Sequence, residues 1–552
     1  MDTKTLAGLL LCMLCAGQIH AQNYAPDGTY SLLSSANAAV TTTAYGKVAG
    51  YVENGIYTFK GIPYAEAERF MPPHTPKAWQ GVRSSRFYGP CCPQEFRSTW
   101  LVDEAAFVSR WDDGYPGENC LRVNVWTQGL NDGKKRPVMV WIHGGGFSTG
   151  SSQEQPSYDG ASLARKGDVV MVSLNHRLNV LGFLNLSSFG EKYKHSANLG
   201  MLDIVEALKW VKNNIAAFGG DPDNVTIFGQ SGGGRKVSTL MCMPAAKGLF
   251  HKAIVQSGSG ANYMPEKYSS KIGQLTVRYL GLDASCIDKL ADIPYEDLLA
   301  AGTKAVNEVK KEADAAGVSD KVSIWGWMPT KDGELLPDDA FTNGSEQISK
   351  DIPMIVGSCL NEMAGFVTLS EPDYFSQTDG QVEERLAKMY GDATDEYMAA
   401  FREAYPTLKA TDMPIVDFKY RPQALRQVEV KAAGGGAPVW NYMFAYYGTA
   451  LDGKLTATHC MELPYVFNNV TRASSMTGAT LEAIQLGNFM SSAWINFART
   501  GNPNVEGMPE WPAYTADSKA TMIFDAPVSE VKYAYDRKLL EVVEKVASKQ
   551  NK

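Results

Sequence analysis

The sequence lacks the features that would indicate a membrane protein or a nucleic-acid-binding protein. It has no unbroken run of about 18 or more apolar residues, so no membrane-spanning helix is predicted in the mature chain. It also has no basic patch, because 60 acidic residues outnumber 52 basic ones and leave a formal net charge of −8. The electrostatic field of a negatively charged protein repels nucleic acid and anionic membrane surfaces at long range. Small or neutral partners are therefore expected.

Cysteine is scarce, with nine residues in 552. Two of them, Cys12 and Cys15, lie in the first 21 residues, which leaves seven in the mature chain and at least one unpaired thiol. The mature chain has no C-x-x-C pair and no Cys/His cluster, so zinc is not predicted. We expect neither a metal nor a cofactor.

The first 21 residues have the pattern of a secretory signal peptide. An apolar run over residues 6–16 is too short to span a bilayer, and a small residue, Ala21, precedes Gln22. We expect cleavage after Ala21 and export to the periplasm or the extracellular space, which permits disulfides. The alternative is an uncleaved anchor, because Asp2 offsets Lys4 in the charged region.

Short apolar runs alternate with helical patterns after a leading hairpin region at residues 44–64. Such runs are typical of strands buried on both faces of a sheet, and they cover residues 137–142, 169–174, 225–228, 253–255, 352–356 and 439–444. The clearest helix has one apolar face from Ile204 to Ile215 and ends at Gly219. This alternation predicts an α/β fold with a largely parallel sheet covered by helices on both faces.

Two polar, helix-rich stretches, residues 263–350 and 371–426, lie between predicted strands. We interpret both as insertions over one sheet, and we see no linker or internal repeat. Residues 22–552 are therefore expected to form a single domain. Apolar residues repeat from Leu539 to Val546, which predicts a closing amphipathic helix.

A nucleophile motif follows the run at residues 225–228. Gly229-Gln230-Ser231-Gly232-Gly233 precedes a helical segment, so G-x-S-x-G stands in the strand, turn, helix context of the α/β-hydrolase nucleophile elbow. The turn strains the serine backbone and demands small residues two places to either side. We identify Ser231 as the nucleophile; the alternative is an incidental glycine-rich turn.

A serine at its ordinary pKa needs a base, and in this fold the chain order is serine, acid, histidine. Only His251 and His459 lie beyond Ser231. His251 enters the next strand, so no acid from a later strand can precede it, and a packing role is expected. His459 follows the last strand by a loop and is predicted to be the base.

The acid must follow another strand between these residues, where it can orient the imidazole. Glu362 comes six residues after the run at residues 352–356 and is predicted to be that acid. Asp332 is the rival, but Asp332-Gly333 is a turn signal.

A glycine loop after the run at residues 137–142 supplies candidate donors for the tetrahedral oxyanion. It has the sequence His143-Gly144-Gly145-Gly146-Phe147, in which bare backbone amides can approach the substrate. We expect the N–H groups of Gly145, Gly146 and Gly232 to form the oxyanion hole.

These motifs resemble the type-B carboxylesterase and cholinesterase family over about residues 46–514. The supporting segments are Gly61-Ile62-Pro63-Tyr64-Ala65, Glu118-Asn119-Cys120-Leu121 with Asn124-Val125-Trp126, Asn175-His176-Arg177-Leu178, Phe218-Gly219-Gly220-Asp221-Pro222 and Glu462-Leu463-Pro464-Tyr465-Val466-Phe467. The resemblance implies a serine esterase that hydrolyses small-molecule carboxylic esters through an acyl-enzyme, and the signal-peptide pattern predicts that it is secreted. It also implies that Glu362 is the triad acid.

The resemblance further implies a disulfide between Cys92 and Cys120 that closes a loop over the gorge, with Cys91 as a neighbour that could exchange with Cys92. The triple glycine implies tolerance of bulky alcohol groups. Two positions depart from the family pattern: Gln230 replaces a glutamate, which makes a cationic substrate less favourable, and Gly232 replaces the commoner alanine.

Two other functions stay open at this point. One is a non-catalytic adhesion or binding protein, since some family members keep the fold without the serine. The other is hydrolysis of a thioester, an amide or a lipid, because a triad does not determine the leaving group.

Overall fold

A twelve-stranded sheet organises the residues that the computed structural model describes, namely 30–95, 103–260, 262–317 and 326–550. The signal-peptide prediction concerns residues 1–21, outside these ranges. The strands of this sheet are β1 (Leu32–Leu33), β4 (Tyr51–Glu53), β5 (Ile56–Pro63), β7 (Arg122–Thr127), β8 (Arg136–Ile142), β9 (Val170–Leu174), β10 (Gly220–Gln230), β11 (Lys252–Gln256), β14 (Met354–Cys359), β15 (Val439–Phe444), β16 (Ala520–Phe524) and β17 (Glu530–Tyr533). Their order across the sheet is β1-β4-β5-β7-β9-β8-β10-β11-β14-β15-β16-β17.

The centre of the sheet is parallel and its two ends are antiparallel. Strands β9, β8, β10, β11, β14, β15 and β16 pair in parallel, whereas the pairs from β1 to β9 and the pair β16 and β17 are antiparallel. All six predicted apolar runs are strands of this parallel centre, so the predicted α/β fold class is confirmed. Smaller sheets join β2 (Val40–Thr43), β3 (Gly46–Ala49) and β6 (Val82–Ser84), and β12 (Met264–Pro265) with β13 (Thr330–Lys331).

Apolar cores cover both faces of the parallel centre. Alternate residues of β8 point to opposite sides: Val138, Val140 and Ile142 join one core, and Met139 and Trp141 join the other. All seven residues of β8 are buried. Burial on both faces explains why the strand reads as a continuous apolar run instead of an alternating one.

Helices form the layers over these cores. They are α1 (Asp103–Ser109), α2 (Ala161–Gly167), α3 (Asn179–Phe183), α4 (Leu199–Asn214), α5 (Gly232–Cys242), α6 (Glu266–Tyr279), α7 (Tyr295–Ala315), α8 (Ala364–Ser370), α9 (Asp379–Tyr390), α10 (Thr394–Ala404), α11 (Tyr420–Ala433), α12 (Leu463–Val466), α13 (Ser474–Thr477), α14 (Leu481–Thr500) and α15 (Arg537–Gln550). The helix expected from Ile204 to Ile215 is α4, which continues as a 3₁₀ turn to Phe218 and ends at Gly219 with φ of 74°.

The predicted insertions contain α6 with α7 and α9 with α10, and the predicted closing helix is α15. Among the helices in the described ranges, none combines the length and apolar character needed to cross a bilayer.

Candidate active site

Ser231 lies at a strained turn between β10 and α5. Its backbone has φ of 57° and ψ of −123°, a conformation that non-glycine residues rarely adopt. The turn is held from both sides, because Ser231 N–H donates to the Gln256 carbonyl at 2.8 Å and the Ser231 carbonyl accepts from Arg235 N–H at 3.0 Å. An added Cβ at Gly233 would lie 2.1 Å from the Ile142 carbonyl oxygen. The G-x-S-x-G spacing therefore reflects close contact between the turn and β8.

The glycine loop after β8 packs directly against the elbow. Gly145 and Gly146 have positive φ values of 79° and 64°, and the Gly145 carbonyl accepts from Thr149 N–H at 3.1 Å. An added Cβ at Gly232 would lie 2.4 Å from Gly146 N. At this distance the loop leaves no room for a methyl group at position 232 of this chain.

A buried lysine, which the sequence analysis did not single out, lies against the same loop. Lys236, on α5, is fully buried, and its Nζ donates to the carbonyls of His143 at 3.0 Å and Gly144 at 3.4 Å. Two peptide carbonyls of the loop are thereby directed toward a positive charge. Because C=O and N–H point in opposite directions across a trans peptide, the N–H groups of Gly144 and Gly145 in these same two peptides point away from Lys236, which therefore fixes the part of the loop that carries the expected Gly145 donor.

His459 and Glu362 are in direct contact. His459 Nδ1 hydrogen-bonds Glu362 Oε2, and His459 N–H donates to the Glu362 carbonyl at 2.9 Å. The other carboxylate oxygen of Glu362 accepts from Cys359 N–H at 2.8 Å. Glu362 is fully buried, while the His459 side chain retains 16% exposure. The carboxylate is thus held in place and can fix the tautomer with the proton on Nδ1.

Gln230 completes the surroundings of the imidazole. Its Nε2 lies 3.2 Å from His459 Nε2 and 3.3 Å from His459 Nδ1, and its Oε1 accepts from Cys460 Sγ at 3.2 Å. Among the described residues, no hydrogen bond joins Ser231 Oγ to His459. Such bonds often tighten only when substrate binds.

Three buried carboxyl groups set the electrostatics of His459. Burial alone would lower the pKa of His459, but Glu362, Glu462 and Asp417 together outweigh it and raise that pKa above its ordinary value. Burial raises the pKa of Glu462 most, and the nearby charge of Glu362 raises it further. Oε1 of Glu462 accepts a hydrogen bond from Gln256 Nε2 at 3.1 Å. The same two causes raise the pKa of Asp417 to about 7. Neither neighbour was predicted from the sequence: Glu462 was noted only as part of the segment that follows His459, and Asp417 lies in no motif.

The two rejected candidates have structural partners. His251 Nδ1 accepts from Val225 N–H at 3.1 Å, at the start of the apolar segment of β10. Asp332 Oδ1 accepts from the N–H groups of Glu334, Leu335 and Leu336 at 3.0, 2.9 and 2.9 Å. These contacts agree with the packing and turn roles predicted for them.

The cysteine pair expected to form a disulfide is present as two thiols. Cys92 and Cys120 are both buried. Burial raises the pKa of the Cys92 thiol most, and the neighbouring Cys120 thiol raises it further. Cys91 instead donates to the carbonyls of Asp113 at 3.3 Å and Tyr115 at 3.4 Å. The structure therefore does not contain the expected bond, although Cys92 rather than Cys91 is the thiol next to Cys120.

Known proteins similar to this chain are hydrolases. A 499-residue match, 38% identical, to the para-nitrobenzyl esterase of Bacillus subtilis covers 89% of this chain and 95% of that protein. The phenmedipham hydrolase of Pseudarthrobacter oxydans is 33% identical over 508 residues, covering 89% of this chain and 96% of that protein.

A solved structure supports the same grouping. An esterase from the anaerobe Clostridium hathewayi, which can hydrolyse aliphatic aromatic polyesters, superimposes with a TM-score of 0.83 at 38% identity and covers 94% of this chain and 100% of that one. The model of the carboxylesterase family matches residues 37–542. The chain therefore belongs to the carboxylesterase family and is a carboxylic ester hydrolase.

Proposed function

We propose that the protein hydrolyses carboxylic esters through an acyl-enzyme formed on Ser231. Ser231 Oγ attacks the ester carbonyl while His459 Nε2 takes the hydroxyl proton and then gives it to the leaving alcohol. His459 next activates a water molecule, which attacks the acyl group and releases the acid and free Ser231. Glu362 holds the imidazole and stabilises its charged form.

The contact of His459 with the buried Glu362 carries this proposal, together with the strained turn at Ser231. The hole is assigned to the N–H groups of Gly145, Gly146 and Gly232. In the described part of the chain, the N–H groups of Gly145 and Gly146 donate to no protein acceptor, which supports that assignment. Removal of one such donor typically costs about 10²- to 10³-fold in rate.

The Gln230 amide nitrogen is nearly equidistant from His459 Nε2 and His459 Nδ1, at 3.2 and 3.3 Å, so it lies against the imidazole ring and not along the Nε2 lone pair. We infer that Nε2 stays available to accept the proton of Ser231 when substrate binds. The absence of a carboxylate at position 230 supports a neutral or anionic substrate over a cationic one.

The test is the initial rate of hydrolysis of p-nitrophenyl acetate by the wild-type chain and by Ser231→Ala, His459→Ala and Glu362→Gln. We expect Ser231→Ala and His459→Ala to lose at least about 10⁴-fold in kcat and Glu362→Gln about 10²- to 10⁴-fold. Wild-type activity that persists in Ser231→Ala would refute the assignment. An inert wild type would reopen the non-catalytic alternative.

We also propose that the protein is exported and cleaved after Ala21, and that Cys92 and Cys120 then form a disulfide. The leader pattern and the adjacency of the two thiols support this. Mass spectrometry of the mature protein from the producing cell tests both parts. We expect Gln22 as the first residue and a Cys92–Cys120 crosslinked peptide; an intact leader or two alkylatable thiols in the exported protein would contradict the corresponding part.

A further inference from the structure

A cavity of about 290 Å³ beside the candidate active site has three cationic side chains in its wall. No Asp or Glu is among its lining residues in the described ranges, and its polar lining consists of Arg235, Asn262, Thr342, Lys419, Gln423, Arg426 and Gln427. Its volume is near the lower end of the roughly 300–1,000 Å³ of small-molecule sites. A charged cavity of this size suits a small organic anion.

The wall of this cavity is built from the same backbone that carries Ser231. Arg235 lies one turn of α5 after Ser231, and its N–H donates to the Ser231 carbonyl at 3.0 Å. The Ser231 N–H donates to the carbonyl of Gln256, and Gly260 follows four residues later. Gly260 N–H donates to Gln427 Oε1 at 2.8 Å. The cavity therefore adjoins the elbow.

Another part of the cavity wall is continuous in the chain with a residue that contacts His459. Lys419 directly precedes Tyr420, whose ring centroid lies 5.2 Å from that of His459. The cavity is thus lined by the helix that follows the nucleophile and by a segment that leads to a contact with the base.

Arg235 has the electrostatic character of an anion ligand. It is partly buried, and burial lowers the pKa of its guanidinium. Within the described ranges it forms no ion pair with Asp or Glu. Asp339, which precedes the wall residue Ala340, instead accepts from Tyr263 N–H at 2.7 Å and from Lys331 Nζ at 3.1 Å. A partly desolvated guanidinium without a counter-ion is stabilised most by a carboxylate that accepts two of its N–H bonds.

Lys419 and Arg426 are exposed residues of the same wall, so they add positive charge where the cavity meets solvent. Gln427 is held by Gly260 N–H and by Ser238 Oγ, which fixes the polar floor between them. This local field is opposite in sign to the net charge of −8. Such a cavity attracts an anion even though the whole molecule repels one at long range.

We propose that this esterase acts on esters that carry a carboxylate, and that the cavity binds this carboxylate through Arg235, with Lys419 and Arg426 at its mouth. The inference rests on the proposed function, because the cavity is a substrate site only if Ser231 and His459 hydrolyse the ester next to it. A carboxylate on the acyl part and one on the alcohol part present the same chemistry to Arg235.

The experiment compares kcat/KM for matched charged and neutral esters. The acyl-side pair is p-nitrophenyl hydrogen adipate and p-nitrophenyl hexanoate, and the alcohol-side pair is 4-acetoxybenzoate and its methyl ester. In at least one pair, we expect the ratio of charged to neutral kcat/KM to fall about 10- to 100-fold in Arg235→Met. The pair that responds identifies the side of the ester that enters the cavity.

Arg402→Met is the matched control, because Arg402 is an exposed arginine of α10 outside the cavity and the substitution makes the same change in charge. Its ratio is expected to stay within about twofold of the wild type. Both esters of a pair are measured on one enzyme preparation, so the ratio does not depend on the folded fraction.

An unchanged ratio for both pairs in an Arg235→Met enzyme that hydrolyses neutral esters would overturn the inference and leave the proposed function intact. Wild-type enzyme inert toward all four esters would instead overturn the proposed function. If Arg235→Met does not fold, the double variant Lys419→Met/Arg426→Met replaces it, and an unchanged ratio there overturns the inference as well.

Discussion

At the scale of single residues, the ionisation of His459 determines the pH range of activity. A base must be neutral to take the proton from Ser231, and the surrounding carboxyl groups raise the pKa of His459. A raised pKa keeps the imidazole protonated to higher pH, so kcat/KM is expected to fall with decreasing pH from a point above the ordinary value of about 6.5. A pH profile with its acidic limb below that value would contradict this.

Gln230→Glu is expected to move the acidic limb to still higher pH, because a carboxylate at position 230 would stabilise the imidazolium. The measurement is kcat/KM for a neutral ester across the pH range. Gln274→Glu, at an exposed position of α6, makes the same change in charge away from the site and is the control. Coincident limbs for wild type and Gln230→Glu would show that residue 230 does not act on the base.

Gly232 is expected to tolerate no side chain without loss of the oxyanion hole. In Gly232→Ala the new methyl group would contact Gly146 N and displace the glycine loop, so we expect kcat to fall about 10²- to 10³-fold, the typical value of one donor. Gly380→Ala in α9 is the control, because its Cβ meets nothing within 4 Å. Wild-type kcat in Gly232→Ala would contradict the assignment of the Gly146 N–H as an oxyanion donor.

Site residues with a local motif were found from the sequence, and those defined by tertiary contact were not. Ser231 was found because glycines at fixed spacing accompany a sharp turn, and His459 and Glu362 because chain order and strand ends restrict the choice. Lys236 was missed, since a lysine in a helix is ordinarily exposed. Its burial depends on the glycine loop of a different strand.

At the scale of elements, Lys236 connects α5 to the glycine loop. We classify it as a positioning residue, because it acts on the hole through the carbonyls of His143 and Gly144. In Lys236→Met we expect kcat to fall about 10- to 100-fold with little change in KM, since the oxyanion donors act mainly in the transition state.

The distinguishing measurement for Lys236 is the affinity of a trifluoromethyl ketone, which forms a tetrahedral oxyanion adduct. It should weaken in Lys236→Met in parallel with kcat, whereas Lys310→Met, at an exposed position of α7, should bind it normally. Loss of stability with unchanged inhibitor affinity per active site would assign Lys236 a purely structural role.

The strands were predictable where a buried segment is also apolar throughout. The six strands that were predicted contain continuous apolar runs because both of their faces are covered. Strand β7 escaped detection, since it contains Arg122, Asn124 and Thr127, all buried. Asn124 Nδ2 donates to Ser152 Oγ and Ser173 Oγ at 3.0 Å each. These hydrogen bonds make the burial of a polar side chain possible, but their partners are distant in sequence, so no local pattern reveals them.

At the scale of the whole molecule, a buried ion pair connects the second insertion, the sheet and the C-terminal region. Arg421 Nε donates to Asp536 at 2.8 Å, and its Nη1 donates to Asn441 of β15 at 2.7 Å. In Arg421→Met, Asp536 stays buried without its partner, so we expect a loss of about 3–5 kcal/mol in the free energy of unfolding, measured by chemical denaturation.

The double variant Arg421→Met/Asp536→Leu should recover much of that loss, because no unpaired charge is then buried. Lys538→Met, which removes only an exposed pair with Glu403, should barely move the denaturation midpoint. Equal effects of the buried and exposed substitutions would contradict this account.

The proposed function requires that Ser231 carries the acyl group during ester hydrolysis. The most direct test is the mass of the protein rapidly quenched during turnover of a p-nitrophenyl ester, followed by peptide mapping. We predict one added acyl group, located on Ser231 and absent in Ser231→Ala. An acyl group on another residue, or continued hydrolysis by Ser231→Ala, would contradict the claim.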